Sequence, residues 1–496
     1  MDGILDAPEL RWLEEATIKR LQEAMAAGEL SSRQLVLWYM HRIGAYDRNG
    51  MALNSVLEVN PDALHIAAAL DAERAQRGPR GPMHGIPVLV KDNIDTADKM
   101  HTSGGSRALA DSYATEDSHV ARRLREAGAV ILGKTNMTEW ANFMTRNMPA
   151  GYSSRGGQVK SPYGPGRFSP GGSSAGSGSA VAANLAAAAI GTETSGSILS
   201  PASSNSIVGI KPTVGLVSRT GIIPIMHTQD TAGPMARTVE DAAVLLGVVA
   251  GVDERDPATV AAAGRFHADY TQFLDIGGLR GARVGIPREL YKTLDAGIAA
   301  VMEAALEVLR QQGAKVVDPV DMPCLREKMD NVAMVHEFKP ALNAYLGRLR
   351  PEVPVHTLKE LIEYNTRDAA TMLRYGQTLL KQAEATSGTL TEPEYVQGLT
   401  RGIYLCRALG IDAAIKEHRL DALVVPGNWG AGIAARPGYP SVTVPGGYTE
   451  EGQPVGVTFT AGAFAEPVLI RLAYAFEQAT RARKAPVLVA AAAMTG

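Results

Sequence analysis

Apolar residues along this chain fall into two alternating rhythms. Unbroken apolar runs at residues 85–91, 129–132, 207–211 and 283–286, with a shorter one at 55–59, read as strands buried on both faces. Between them lie stretches with apolar positions three and four apart, which read as helices packed on one side: 61–76 opened by Asn60, 116–127, and 295–312. The first fifty or so residues are predicted helical, with Ser31 and Gln34 forming a capping box ahead of Leu35, Val36, Trp38, Tyr39 and Ile43. Asn136 with Glu139 is expected to cap a helix carrying Trp140 and Phe143, and Thr238 with Asp241 one that runs through Val249. An alanine-rich helix is expected to reach about Ala189, followed by a tight turn of Gly, Ser and Thr at 191–197. Further strands are predicted at 315–317, 422–425, 441–444 and 455–459, with a closing helix at 466–483.

This alternation predicts an α/β fold, a single large domain over 1–496 with a mixed, mostly parallel central sheet flanked by helices. Residues 1–75 form its N-terminal helical region. Residues 324–410 are nearly all helical and rich in Met, Tyr, Lys and Glu, and are expected as a variable sub-region beside the functional site. The weakly patterned stretch 252–282 should wrap the surface.

Composition narrows the function classes. Hydrophobic residues are 45% and charged residues 20%, ordinary for a globular chain. A net charge of −3 provides no basic field, so no nucleic-acid partner and no membrane surface is expected. The apolar run 180–190 is too short to span a bilayer, and the acidic start of the chain does not read as a secretory signal. With only Cys324 and Cys406, neither a disulfide framework nor a Cys-based zinc site is available, which fits a reducing cytoplasm. A single pairing of these two stays open beside the reading as two buried thiols.

Two motif matches fail on physical grounds. Gly128 to Thr135 satisfies the Walker A letters, but a phosphate cradle needs a loop of converging N–H groups between its glycines. Here Ala129-Val130-Ile131-Leu132 is a strand whose N–H groups belong to the sheet. Gly172 to Gly176 matches a nucleophile elbow around Ser174, yet the Pro- and Gly-rich residues before it cannot form the required strand.

Three segments hold up together. The run Gly85-Ile86-Pro87-Val88-Leu89-Val90 ends at Lys91, either a strand-end lysine reaching solvent or a desolvated amine able to act as a base. Ser169-Pro170-Gly171-Gly172-Ser173-Ser174 resembles a flexible linker, but runs straight into the alanine-rich helix. Ser197, 24 residues beyond Ser173, lies in a Gly and small-hydroxyl turn, Gly191 to Ile198, that either caps a surface helix or aims several N–H groups at one point.

The order and spacing of these segments resemble the amidase signature family, with similarity from about residue 15 to 485. Gly133-Lys134-Thr135-Asn136, Gly209-Ile210-Lys211-Pro212-Thr213 and Gln229-Asp230-Thr231-Ala232-Gly233-Pro234 are further matching landmarks. The peptide-amidase branch looks most similar, through Gly191-Thr192-Glu193-Thr194 and the region after Glu139. The resemblance implies a serine hydrolase of amide C–N bonds that forms an acyl-enzyme. Ser197 stands at the nucleophile, Ser173 at a bridging serine that follows a cis peptide bond, and Lys91 at the base. Thr194, Ser195 and Gly196, with Ser197 itself, stand where oxyanion N–H groups are supplied. No cofactor and no metal is implied, and the partner is a small amide-type substrate for a monomer or homodimer.

Two departures bear on specificity. Ser195 stands where most of the family has Gly and the peptide amidases have Asp, and the segment 426–438 looks shorter than its peptide-amidase counterpart. A more open pocket is therefore expected, with Gly172 beside the substrate and Trp429, Met137, Met144, Met148 and Met226 as apolar lining. Promiscuity toward aryl amides, esters and carbamates would follow. The rival within the family is the amidase component of a tRNA-dependent amidotransferase, whose turn carries paired glycines where this chain has Ser195-Gly196. A non-catalytic protein on the same fold is the rival of another class, and retention of Lys91, Ser173 and Ser197 argues against it.

Overall fold

The strongest apolar runs all enter one sheet in the computed structural model, which describes residues 8–490. The strands in chain order are β1 (Val56–Val59), β2 (Pro87–Lys91), β3 (Val130–Thr135), β4 (Tyr152–Ser153), β5 (Gly157–Gln158), β6 (Ala188–Glu193) and β7 (Val208–Lys211). They continue with β8 (Thr231–Ala236), β9 (Arg283–Gly285), β10 (Lys315–Val317), β11 (Ala422–Pro426), β12 (Ser441–Tyr448) and β13 (Pro454–Thr460). β4 and β5 pair only with each other. The other eleven lie in the order β1-β3-β2-β6-β8-β7-β12-β13-β11-β9-β10.

The sheet is mixed. β2 runs parallel to both β3 and β6, and β9 runs parallel to β10 and β11. The strands between β6 and β11 pair antiparallel, as does β1 on β3. β2, β3 and β6 are buried at every position, which explains why they open on unbroken apolar or small residues rather than alternating, with Lys91, Lys134 and Glu193 buried at or near their ends.

The Gly/Ser block is no linker. It leads into a fully buried helix, Ala175–Ala182, composed of Ala, Gly, Ser and one Val. Small residues let this helix press against the sheet: a Cβ on Gly176 would lie 2.3 Å from the carbonyl oxygens of both Asn136 and Ser55. Thr135 Oγ1 and Ser177 Oγ, 2.7 Å apart, join the helix to β3.

Several sequence expectations need correction. The alanine run does not remain helical to Ala189; the helix stops at Ala182 and Ala188 opens β6 in the middle of the sheet. Glu139–Asn142 is a short 3-10 turn, and Trp140, Ala141 and Asn142 all adopt left-handed backbone with φ of 49°, 52° and 73°. The Asn136 side chain accepts the N–H of Met137 at 2.9 Å and caps no helix. β8 had no counterpart among the expected strands. Asn60 precedes rather than caps its helix, Ala63–Arg77, by accepting the N–H of Asp62.

Residues 1–7 of the expected N-terminal helical region lie outside the described residues. Its described part holds helices Ile18–Ala26 and Ser32–Arg42, the second with the Ser31–Gln34 capping box in place. Within 324–410, helices Val332–Leu346, Leu358–Arg367, Thr378–Glu384 and Pro393–Ala408 follow one another. Phe338, Leu342, Leu358, Leu361 and Leu380 form a second apolar cluster there with Phe143 and Met144. Cys324 and Cys406 are buried free thiols. Among the described residues, no helix is long and apolar enough to cross a membrane.

Candidate active site

Lys91 closes β2 with no exposed surface. The parallel register sets Val90 beside Ile190, so the lysine side chain is delivered to the end of β6, where the chain leaves the sheet for the turn at 194–197. Its Nζ lies 2.7 Å from Ser173 Oγ, 2.9 Å from Thr192 Oγ1 and 3.2 Å from the Thr192 carbonyl oxygen. Burial drives its pKa down to about 7, against the pull of the Glu193 and Asp230 carboxylates in the other direction. Near neutral pH a large fraction of this amine is uncharged. The adjacent Asp92 faces away and takes the N–H of Gly105 at 2.9 Å and the hydroxyl hydrogen of Ser103.

Ser173 follows a cis peptide bond from Gly172 and begins the approach to the buried helix. Its carbonyl accepts the N–H of Thr138 at 3.0 Å. The next residue ties it to the second serine loop: Ser174 N donates to the Ser197 carbonyl at 3.1 Å, and Ser174 Oγ donates to the Thr192 carbonyl at 3.0 Å. Ser197 itself opens on a cavity of about 600 Å³ whose wall includes Gly172, Thr194, Ser195, Gly196 and Asn428. Among the described residues its hydroxyl bonds to no protein group. Ser173 Oγ and Ser197 Oγ are therefore connected through the Ser174 backbone rather than directly.

The turn is organised by a carboxylate beneath it. Glu193 is buried, and its Oε1 accepts the N–H of Gly196 at 2.6 Å, while Oε2 accepts those of Ile198 at 2.7 Å and Leu199 at 3.0 Å. A negative charge here also suits the start of the helix Leu199–Ser204. This corrects one expectation, since the Gly196 N–H is committed to Glu193 and is not free for an oxyanion. Among the described residues, the N–H groups of Thr194, Ser195 and Ser197 carry no intramolecular partner. A second brace holds the other side: Thr194 Oγ1 donates to Asp230 at 2.5 Å, and Gln229 Nε2 donates to the Thr194 carbonyl at 3.2 Å. Burial pushes Asp230 up to about 6, while its hydrogen bonds from Thr194, Ile225 and Met226 hold it down.

The apolar lining differs from expectation. Met137, Met144 and Met226 are buried in the interior at 2% exposure or less, Met148 is buried as well, and none of the four is on the cavity wall. Trp429 is 41% exposed and donates to Thr293 Oγ1 at 3.4 Å, leaving its neighbour Asn428 on the cavity wall. The region 324–410 supplies Asn331, Met334, Val335 and Leu379 to the wall instead. Glu193, Asp230 and Gln229 were missed as site residues, although all three lie inside motifs that the sequence singled out. Among the described residues, no group of three or more His, Cys, Asp or Glu is placed to hold a metal.

Comparison with known proteins identifies the family. The Amidase family matches residues 34–470. A probable amidase of Arabidopsis thaliana is 42% identical, over 96% of this chain and 92% of its own length. The native peptide amidase of Stenotrophomonas maltophilia is 47% identical, with a TM-score of 0.89 over 96% of this chain and 99% of that one. A glutamyl-tRNA(Gln) amidotransferase subunit of Halorhodospira halophila is 33% identical, over 94% of this chain and 98% of its own length.

Proposed function

This chain belongs to the amidase family and is a hydrolase of amide carbon–nitrogen bonds, and from that membership we propose a serine mechanism that runs through Lys91, Ser173 and Ser197. Neutral Lys91 takes the hydroxyl proton of Ser173, which in turn takes that of Ser197. Ser197 Oγ attacks the substrate carbonyl carbon, and the resulting oxyanion is received by the free N–H groups of Thr194, Ser195 and Ser197. The proton returns along the same path to the substrate nitrogen, the C–N bond breaks, and the amine leaves. Water then attacks the acyl-enzyme with Lys91 again as base and releases the acid.

The observation that carries this reading is the fully buried amine 2.7 Å from Ser173 Oγ, on a loop bonded to that of Ser197. The missing direct bond between the two hydroxyls is one that a bound substrate would draw together, because catalytic hydrogen bonds often tighten only in the complex. Incubating the protein with an amide or aryl ester and quenching rapidly should trap an acyl adduct on Ser197 by mass spectrometry. Ser197→Ala protein that hydrolyses the substrate as fast as the parent would exclude the mechanism.

The width of the cavity, and its mixture of polar and apolar wall, support acceptance of aryl amides, esters and carbamates besides simple amides. A hydrolysis panel tests this, and strict preference for C-terminal peptide amides by orders of magnitude in kcat/KM would exclude it. The identity with an amidotransferase component favours a second reading, a role within such a complex. Copurification with partner proteins, and glutaminase activity dependent on them, would select it.

A further inference from the structure

Ser195, Asn331 and Met334 have two sides. On one they line the main cavity, and on the other they line a second, much smaller depression. The mechanism above makes no use of that second space. Its wall carries Arg436, just beyond the short helix Ala431–Ala435. Arg436 Nη1 donates to the Gly432 carbonyl at 2.8 Å and Nη2 to the Asp330 carbonyl at 2.9 Å. Both acceptors are neutral backbone oxygens, and among the described residues Arg436 forms no ion pair. A guanidinium has five N–H donors, so several remain for a ligand.

Gly432 lies close to both Arg436 and Ser195. A methyl group built on it would lie 3.3 Å from Arg436 Nη1 and 3.7 Å from Ser195 Oγ. The guanidinium and the hydroxyl thus stand on the same side of Gly432, and both line the depression. The charges around these two adjacent spaces are Arg146 and Arg436 against the single carboxylate of Asp330, whose Oδ1 already accepts the N–H of Val332 at 3.2 Å. Arg146 likewise forms no ion pair among the described residues; its Nη2 donates to Gln382 at 3.3 Å. The lining is net positive in a chain whose net charge is −3.

We propose that this depression receives a carboxylate carried by the substrate, held by the Arg436 guanidinium beside the Ser195 hydroxyl, so that acidic amides are a preferred substrate class. The proposal rests on the Ser197 reading only for the place where the scissile bond sits. A fork of N–H donors matches a carboxylate in shape, and such a charge-assisted pair is stronger than a neutral hydrogen bond.

Binding separates the two claims. Ser197→Ala protein is titrated by calorimetry with N-acetyl-glutamyl amide, N-acetyl-methionyl amide and N-acetyl-lysyl amide, which are similar in length and differ in charge. The expected result is about tenfold tighter binding of the glutamyl amide than of the methionyl amide. Adding Arg436→Gln should bring that ratio to about one, and Arg436→Lys should restore part of it. Equal binding of the glutamyl and methionyl amides, tightest binding of the lysyl amide, or a preference lost with Arg146→Gln but kept with Arg436→Gln would each overturn the assignment. Failure of the parent to hydrolyse any of the three would count against the serine mechanism and leave this binding result standing.

Discussion

Glu193 Oε1 accepts the amide hydrogen of Gly196 at 2.6 Å, from below a turn that opens upward to the cavity. The same carboxylate holds the next two free amides of the following helix, so one side chain sorts the turn's N–H groups. Those of Gly196, Ile198 and Leu199 point down to Glu193. Those of Thr194, Ser195 and Ser197 remain for a ligand.

Glu193→Gln should therefore impair catalysis without touching substrate. An amide offers one acceptor oxygen where the carboxylate offers two, and its NH2 would confront a backbone donor. Loss of oxyanion stabilisation of about 2.7–4 kcal/mol corresponds to a fall in kcat of about 10²–10³. KM should change much less. Steady-state kinetics on one amide substrate reads this split, and an unchanged kcat would show that the turn keeps its shape unaided.

The pH dependence follows from Lys91. Its pKa is lowered to about 7, so the amine is protonated and inactive as a base below that pH and neutral above it. The expected profile of kcat/KM rises through about pH 7 to a plateau on the alkaline side. Lys91→Arg, always charged, should lose activity by at least about 10²-fold at every pH. A flat profile from about pH 5 to 9 with a good amide would remove Lys91 from the mechanism.

Asp230 tunes that midpoint. Its negative charge favours protonated Lys91 and holds the lysine pKa up. Asp230→Asn removes the charge and leaves a side-chain oxygen for Thr194, so the rising limb should move to lower pH. Comparing the two profiles checks the direction; a move to higher pH would contradict the electrostatic argument.

Gly176→Ala tests the packing that delivers Ser173. The new methyl would meet two backbone oxygens at 2.3 Å, and neither can swing aside as a side chain could. A loss of about 3 kcal/mol is expected, read from the urea unfolding midpoint. Stability equal to the parent would mean that the helix can lift away from the sheet.

Much of this architecture was legible in the sequence, and its gaps have physical causes. Continuous apolar runs located β2 and β7 to within two residues, because strands covered on both faces need no alternation, but stopped three residues short of the end of β3, where Gly133, Lys134 and Thr135 break the apolar run. β8 escaped because Thr231 to Ala236 contains Gly233 and Pro234, residues that weaken or interrupt a strand, yet it lies between β6 and β7. The alanine run gave a helix too long, since alanine suits both the buried helix and the crowded strand that follows it. Lys91, Ser173 and Ser197 were singled out by family resemblance, and the fold brings the first two within 2.7 Å of each other while Ser197 lies on the adjoining loop. Which amides of the turn are free could not be read, because that depends on where one carboxylate folds back. The methionines were misplaced for a similar reason: their number says nothing about which face of Trp140–Phe143 turns inward once three residues go left-handed.

The complete burial of Lys91 governs where a captured hydrogen can travel. Bulk solvent has no access to this amine, whose hydroxyl neighbours are Ser173 and Thr192, so in the proposed mechanism the hydrogen returns through Ser173 and Ser197 to the departing amine. The enclosure thereby couples activation of the attacking oxygen to neutralisation of the leaving group. That coupling matters most for amides, whose nitrogen is a poor leaving group until it has been protonated.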